Sequence, residues 1–257
     1  MNRITTLFEQ KNKSVLNIYF TAGHPTIDSL LTIIPALDKA GVDLVEIGMP
    51  YSDPLADGET IQASSKVALA NGMHLSLLFE QVKEVRERSQ IPLILMGYYN
   101  QLIQYGLDAF LSDASEAGID GLIIPDLPLH EYESQLKTKF EAKKLGISFL
   151  VTPHTSDDRI KRAALLSNAF LYIISSSSIT GAKRDIEDSQ LDYFKKIKIL
   201  APDTPSLIGF GIHNKSSFEK ASSQANGAII GSAFIRHIDK NNNLDLATKE
   251  FVSSILS

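Results

Sequence analysis

The segment Glu46-Ile47-Gly48-Met49-Pro50-Tyr51-Ser52-Asp53-Pro54-Leu55-Ala56-Asp57-Gly58 sets one acid at the end of an apolar run and a second just beyond it. In Asp43-Leu44-Val45-Glu46-Ile47-Gly48 the two-residue period of a strand puts Leu44 and Glu46 on one face and Val45 and Ile47 on the other. Glu46 then points where an apolar side chain belongs. Desolvation there disfavours the carboxylate and raises its pKa, which lets a carboxylic acid both give and take a proton near neutrality. The structural alternative is an acid that turns outward to pair with a lysine of a neighbouring helix. Asp57 precedes Gly58 and the helical-looking Glu59-Thr60-Ile61-Gln62-Ala63-Ser64-Ser65, so it also reads as a plain helix N-cap. The spacing of Asp53, Asp57 and Glu59 does not match a calcium loop, and His24, His74, His130, His154, His213 and His237 include no pair at helical ligand spacing. No metal site is expected.

Three glycine sites, Thr180-Gly181, Gly209-Phe210-Gly211-Ile212 and Gly231-Ser232, each follow an apolar run late in the chain. Glycine lets an anion approach the main chain, and Gly231-Ser232-Ala233-Phe234 looks like a helix start whose free N–H groups could hold phosphate. The bland reading is that these glycines only bend the chain. Gly209-Phe210-Gly211-Ile212-His213-Asn214 does not complete a dinucleotide fingerprint, because Asn214 stands where a glycine is required. Phe20, Tyr98, Tyr172 and Phe210 fall at or just past the ends of such runs, where aromatic side chains can either cap a core or wall a flat pocket. A phosphate cradle facing an acid pair across such rings implies a phosphorylated substrate carrying an aromatic ring.

The elements that must position these residues alternate. Apolar runs at Val15 to Phe20, Asp43 to Ile47, Leu93 to Met96, Gly121 to Ile124, Ile147 to Val151, Leu171 to Ile174, Ser206 to Gly209 and Gly227 to Ile230 read as strands. Between them Ile27 to Ala40, Leu75 to Arg88, Glu131 to Lys144 and Ser156 to Leu166 carry helical periodicity, and Gly41, Gly118 and Gly146 read as helix ends. Eight strand–helix units without a linker predict an α/β fold, a single (β/α)₈ TIM barrel over residues 1–257 with a short extra N-terminal helix. In such a barrel the site lies at the C-terminal ends of the strands, where Glu46 and the glycines fall.

Composition fits one globular domain, with 44% hydrophobic residues in 257. A net charge of −5 with scattered bases speaks against nucleic acid as a partner. The absence of cysteine excludes disulfides, thiolate metal sites and a cysteine nucleophile. The polar N-terminus does not read as a secretory signal, and no apolar run is long enough to span a bilayer, so a cytoplasmic protein is expected.

The run Glu46 to Gly58 resembles the signature of the tryptophan synthase α subunit family, L-E-L/I-G-x-P-F/Y-S-D-P-x-A-D-G. Similarity continues through Phe20-Thr21-Ala22-Gly23, Thr60-Ile61-Gln62, Tyr98-Tyr99-Asn100, Pro125-Asp126-Leu127-Pro128, Thr180-Gly181, Gly209-Phe210-Gly211-Ile212 and Gly231-Ser232. The resemblance implies a lyase that cleaves indole-3-glycerol phosphate to indole and glyceraldehyde 3-phosphate by a retro-aldol step. By that resemblance Glu46 is the acid/base and Asp57 accepts the ring N–H. Phe20, Ile61, Tyr98, Tyr172 and Phe210 flank the indole or its glycerol arm, Gly181, Gly211, Gly231 and Ser232 hold phosphate, and Thr180 closes over the site. It also implies no cofactor in this chain and a β subunit partner that carries pyridoxal phosphate (PLP) in an α2β2 assembly, docking at the barrel mouth around Asp53, Pro54 and Asn100. The chain departs from the family in its sixth loop, Ser175-Ser176-Ser177-Ser178-Ile179-Thr180-Gly181, where Ser176 replaces an arginine and Ser178 a glycine. Glu59 stands where proline is frequent. Two alternatives remain at this point: another phosphosugar barrel enzyme, and a weakly catalytic barrel that mainly binds and activates a PLP-dependent β partner.

Overall fold

A computed structural model describes residues 2–55, 57–174, 188–209 and 211–257. Nine strand segments, β1 Val15–Thr21, β2 Leu44–Gly48, β3 Leu93–Met96, β4 Gly121–Ile123, β5 Gly146–Ser148, β6 Leu150–Val151, β7 Leu171–Ile174, β8 Ser206–Gly209 and β9 Gly227–Ile230, form one parallel sheet ordered β5-β4-β3-β2-β1-β9-β8-β7-β6. The first and last strands of the chain pair with each other, as a barrel requires, with Val15 opposite Gly227 and Ile18 opposite Ile230.

Eight strands were expected, and β5 and β6 are the two pieces of the fifth. The break falls at Phe149, whose N–H is taken by the Ser167 hydroxyl at 3.0 Å instead of a strand neighbour. Before the break the strand pairs with β4, and after it with β7. The ring closes across this point through Ala169 N–H to Ile147 O (3.1 Å) and Tyr172 N–H to Phe149 O (3.0 Å).

Helices cover the outside: α1 Arg3–Gln10, α2 Leu30–Lys39, α3 Glu59–Ala70, α4 Leu75–Arg86, α5 Tyr99–Tyr105, α6 Leu107–Ala117, α7 Leu129–Glu131, α8 Lys137–Ala142, α9 Asp157–Leu166, α10 Asp188–Leu200, α11 Lys215–Gln224, α12 Ser232–Ile238 and α13 Leu244–Leu256. The helix expected over Glu131 to Lys144 is not continuous: a π-helical turn at Tyr132–Leu136 separates α7 from α8. Four residues overshoot one α-helical turn and fall short of one π-helical turn. The wider turn thus offsets the drift and keeps Tyr132, Leu136 and Phe140 on one buried stripe. Gly41 and Gly118 end helices in positive-φ conformations, but α8 is followed by Lys144 at φ +57°, and Gly146 begins β5.

Side chains alternate between two cores. Leu16, Ile18, Phe20, Val45, Ile47, Leu93 and Leu95 pack outward against the helices. Val15, Tyr19, Leu44, Ile94, Ile123, Phe170, Tyr172, Leu207 and Ile229 fill the barrel interior, plugged from the N-terminal end by Ile4, Leu7 and Phe8 of α1. Helix α1 starts at Asn2, whose Oδ1 accepts the Ile4 N–H at 2.9 Å. At this end Asp120 takes Arg3 at 3.0 Å and Arg86 at 2.9 Å on its two oxygens and also accepts the Leu93 N–H at 2.9 Å. Among the described residues no helix is long and apolar enough to cross a membrane.

Candidate active site

Alternation along β2 carries Glu46 into the barrel on the same face as Leu44, as the sequence predicts. The carboxyl is 1% exposed, and Asn17 Nδ2 of β1 donates to its Oε2 at 3.1 Å. Burial pushes the Glu46 pKa up from 4.5 to about 8; the Asn17 hydrogen bond opposes that rise and the Asp57 charge adds to it. At neutral pH Glu46 is therefore mostly a carboxylic acid within reach of ionisation.

Asp57 lies between β2 and α3. Gly58 is the N-cap of α3 and Asp57 does not cap it, which removes the plain N-cap reading. Burial raises the Asp57 pKa, and a hydrogen bond from the Tyr98 hydroxyl opposes that rise. Its main-chain carbonyl accepts Gln62 Nε2 at 2.7 Å, fixing the loop to α3.

Two buried tyrosines wall the acid pair. Tyr19 of β1 stands in register with Glu46, and Tyr172 comes from β7. Burial raises both phenols far above their usual range, and both feel the Glu46 and Asp57 charges, so they stay neutral hydroxyls. Each ring lies over a glycine of the next strand. A Cβ at Gly48 would stand 2.1 Å from Tyr19 Oη and 2.6 Å from its Cζ. A Cβ at Gly209 would stand 2.3 Å from Tyr172 Oη and 2.5 Å from its Cε1.

Of the other expected pocket residues, Tyr98 is buried beside Asp57, stacking on Tyr51 with centroids 5.2 Å apart, and Ile61 packs half-buried against the interior cluster. Phe20 is placed otherwise. Odd-numbered residues of β1 face inward, so Phe20 packs in the outer core and Tyr19 takes the interior position. Gly211 (φ +79°) and Gly231-Ser232 sit past the ends of β8 and β9, with Ser232 opening α12. Phe210, Thr180 and Gly181 lie outside the described residues. Asp53 is exposed and Pro54 partly so; Asn100, also exposed, donates to Tyr51 Oη at 2.9 Å. Leu55, beside Asp53-Pro54, is 79% exposed.

Asn17, Tyr19 and Met96, which packs on the interior cluster, were not singled out in the sequence. The signal for the first two was present: the parity argument that selects Glu46 in β2 selects Asn17 and Tyr19 in β1. An open cavity of about 400 Å³ lies apart from the acid pair, lined by Pro50, Tyr51, Met73, Leu75, Asn100 and Tyr105 among others. Among the described residues no cluster of three or more His, Asp or Glu could hold a metal ion.

A parallel α/β barrel whose strand ends gather two desolvated carboxyls between neutral tyrosines belongs to the class of barrel enzymes that work by acid–base chemistry. The family model for the tryptophan synthase alpha chain matches residues 6–254. The tryptophan synthase alpha chains of Flavobacterium johnsoniae and Karelsulcia muelleri are each 49% identical, over 99% and 100% of this chain and 100% of theirs. The fold superposes on tryptophan synthase from M. tuberculosis (TM-score 0.87, 26% identity, 99% of this chain and 98% of that one). It also superposes on the Pyrococcus furiosus tryptophan synthase A-subunit (TM-score 0.88, 31% identity, 96% and 99%). The chain belongs to the tryptophan synthase alpha chain family.

Proposed function

We propose that this chain is the lyase that cleaves indole-3-glycerol phosphate to indole and glyceraldehyde 3-phosphate in tryptophan biosynthesis. The observation that carries the reading is the buried Glu46, held near-neutral in ionisation beside Asp57. As an acid, Glu46 delivers its proton to the ring carbon that bears the side chain. The bond from that carbon to the glycerol arm breaks, and the resulting carboxylate takes the proton of the side-chain hydroxyl as the aldehyde forms. Protonation leaves positive charge at the ring nitrogen, which the Asp57 carboxylate stabilises by accepting the N–H. Tyr98 orients Asp57, while Tyr19, Tyr172, Ile61 and Met96 exclude water around the ring. Gly211, Gly231 and Ser232, past the ends of β8 and β9, hold the phosphate, a role that the resemblance extends to Gly181.

The chemistry needs only proton transfer, so the chain requires no cofactor of its own. The neighbouring Pyrococcus furiosus structure is of a tryptophan synthase complex. By family, a β subunit carrying PLP receives the indole in an α2β2 assembly in the cytoplasm. Asp53, Pro54 and Asn100 at the mouth, with exposed Leu55, are the docking surface. Indole release measured with and without the β subunit tests the reading. Glu46→Gln is expected to lose at least ~10²-fold in rate with the fold intact; near-parental turnover in that variant would refute the mechanism.

A further inference from the structure

Asn17 sits at the centre of β1, fully buried, in a run of apolar residues. Asparagine is a poor strand residue, and its amide is costly to bury unless both ends are bonded. One end is not: Oδ1 is buried without a hydrogen-bond partner among the described residues. The other end, Nδ2, makes a single side-chain contact, to Glu46 Oε2 at 3.1 Å. A leucine of the same shape would satisfy the site better in every respect except that contact.

We infer that Asn17 is a positioning residue for the proposed reaction, holding Glu46 by Oε2 so that the other carboxyl oxygen is presented for proton transfer. The inference rests on Glu46 being the acid–base group. Donation from Nδ2 favours the carboxylate form, so the amide also sets where Glu46 ionises. The groups facing Glu46 are Asn17 and Tyr19 from β1, Tyr172 from β7 and Asp57 from the loop after β2, with Tyr98 behind Asp57. The three facing β-strand side chains carry no charge that titrates below the phenol range, which leaves the two carboxyls to shape the pH profile.

The test is the pH dependence of kcat for indole release in Asn17→Leu, which matches asparagine in shape, and in Asn17→Val, which suits a strand. Each variant is first shown to be folded by circular dichroism, and Glu46→Gln serves as the control. The expected result is a kcat lower by roughly tenfold with KM within about twofold, and the profile midpoint nearest 8 moved upward by roughly one pH unit. A folded variant whose midpoint stays at the parental value overturns the inference, whatever its rate, because a purely structural asparagine would change rate or stability without moving that ionisation. Parental activity in Glu46→Gln would instead sink the acid–base reading itself, so the two failures are separable.

Discussion

Replacing Glu46 by Gln should make the protein more stable while stopping its chemistry. The folded-state pKa of Glu46 lies at about 8 against an ordinary value of 4.5. Because the folded form holds the proton more tightly, the stability it contributes is complete below about pH 4.5 and is lost as pH rises through about 8. At about 1.4 kcal/mol per pH unit, about 3 kcal/mol is gone at neutral pH and about 5 kcal/mol above the folded pKa. The carboxyl is fully buried, so solvent screening does not reduce these figures much. Glutamine never ionises, and its side-chain oxygen can accept the Asn17 Nδ2 hydrogen bond that Glu46 Oε2 accepts. Urea denaturation of both proteins near pH 5, 7 and 9 should give nearly equal stabilities at the acid end, with the variant ahead by about 3 and then about 5 kcal/mol as pH rises. A difference that stays flat across this range, or a parent that is the more stable near pH 9, would show that Glu46 is not desolvated and would remove the basis of its catalytic role.

Other outcomes follow from the same geometry. Tyr98→Phe removes the hydrogen bond that favours ionised Asp57, so the Asp57 ionisation should move upward and the acid limb of the kcat profile with it; an unmoved limb would separate Tyr98 from Asp57. Gly48→Ala drives a methyl into the Tyr19 ring and should cost about 1–3 kcal/mol by urea denaturation, whereas a change under about 0.5 kcal/mol would mean the ring has room to move. Asp120→Ala leaves Arg86 buried without its carboxylate and should cost about 3–5 kcal/mol. Indole release per folded molecule should be unaffected, since Asp120 lies at the end of the barrel opposite the acids.

The strands were the most legible part of the chain because parallel strands buried on both faces are short, nearly continuous apolar runs. Leu93–Met96 and Leu171–Ile174 coincide with their expected bounds. What escaped were features decided by tertiary partners: Ser167 breaking the fifth strand at Phe149, and the shared burial of Tyr132, Leu136 and Phe140 opening a π-helical turn. In the site, Glu46 announced itself as a charge in an apolar run. Asn17 carries no charge and was absorbed into the run around it, and Phe20, expected in the pocket from its place at the strand end and from the resemblance, has the outward parity of β1. Asp57 could not be separated from a helix cap by local sequence, because Gly58 and Asp57 both suit that position and the deciding partner, Tyr98, arrives from the loop between β3 and α5.

Tyr19 over Gly48 and Tyr172 over Gly209 constrain the order in which this barrel can change over generations. The clash at each glycine involves ring carbons as well as the hydroxyl, so exchanging tyrosine for phenylalanine does not release the glycine. A side chain gained at the neighbouring strand end before the ring has shrunk carries the packing cost of the clash, and shrinking the ring first loses a wall of the site. Each pair is thus an epistatic lock.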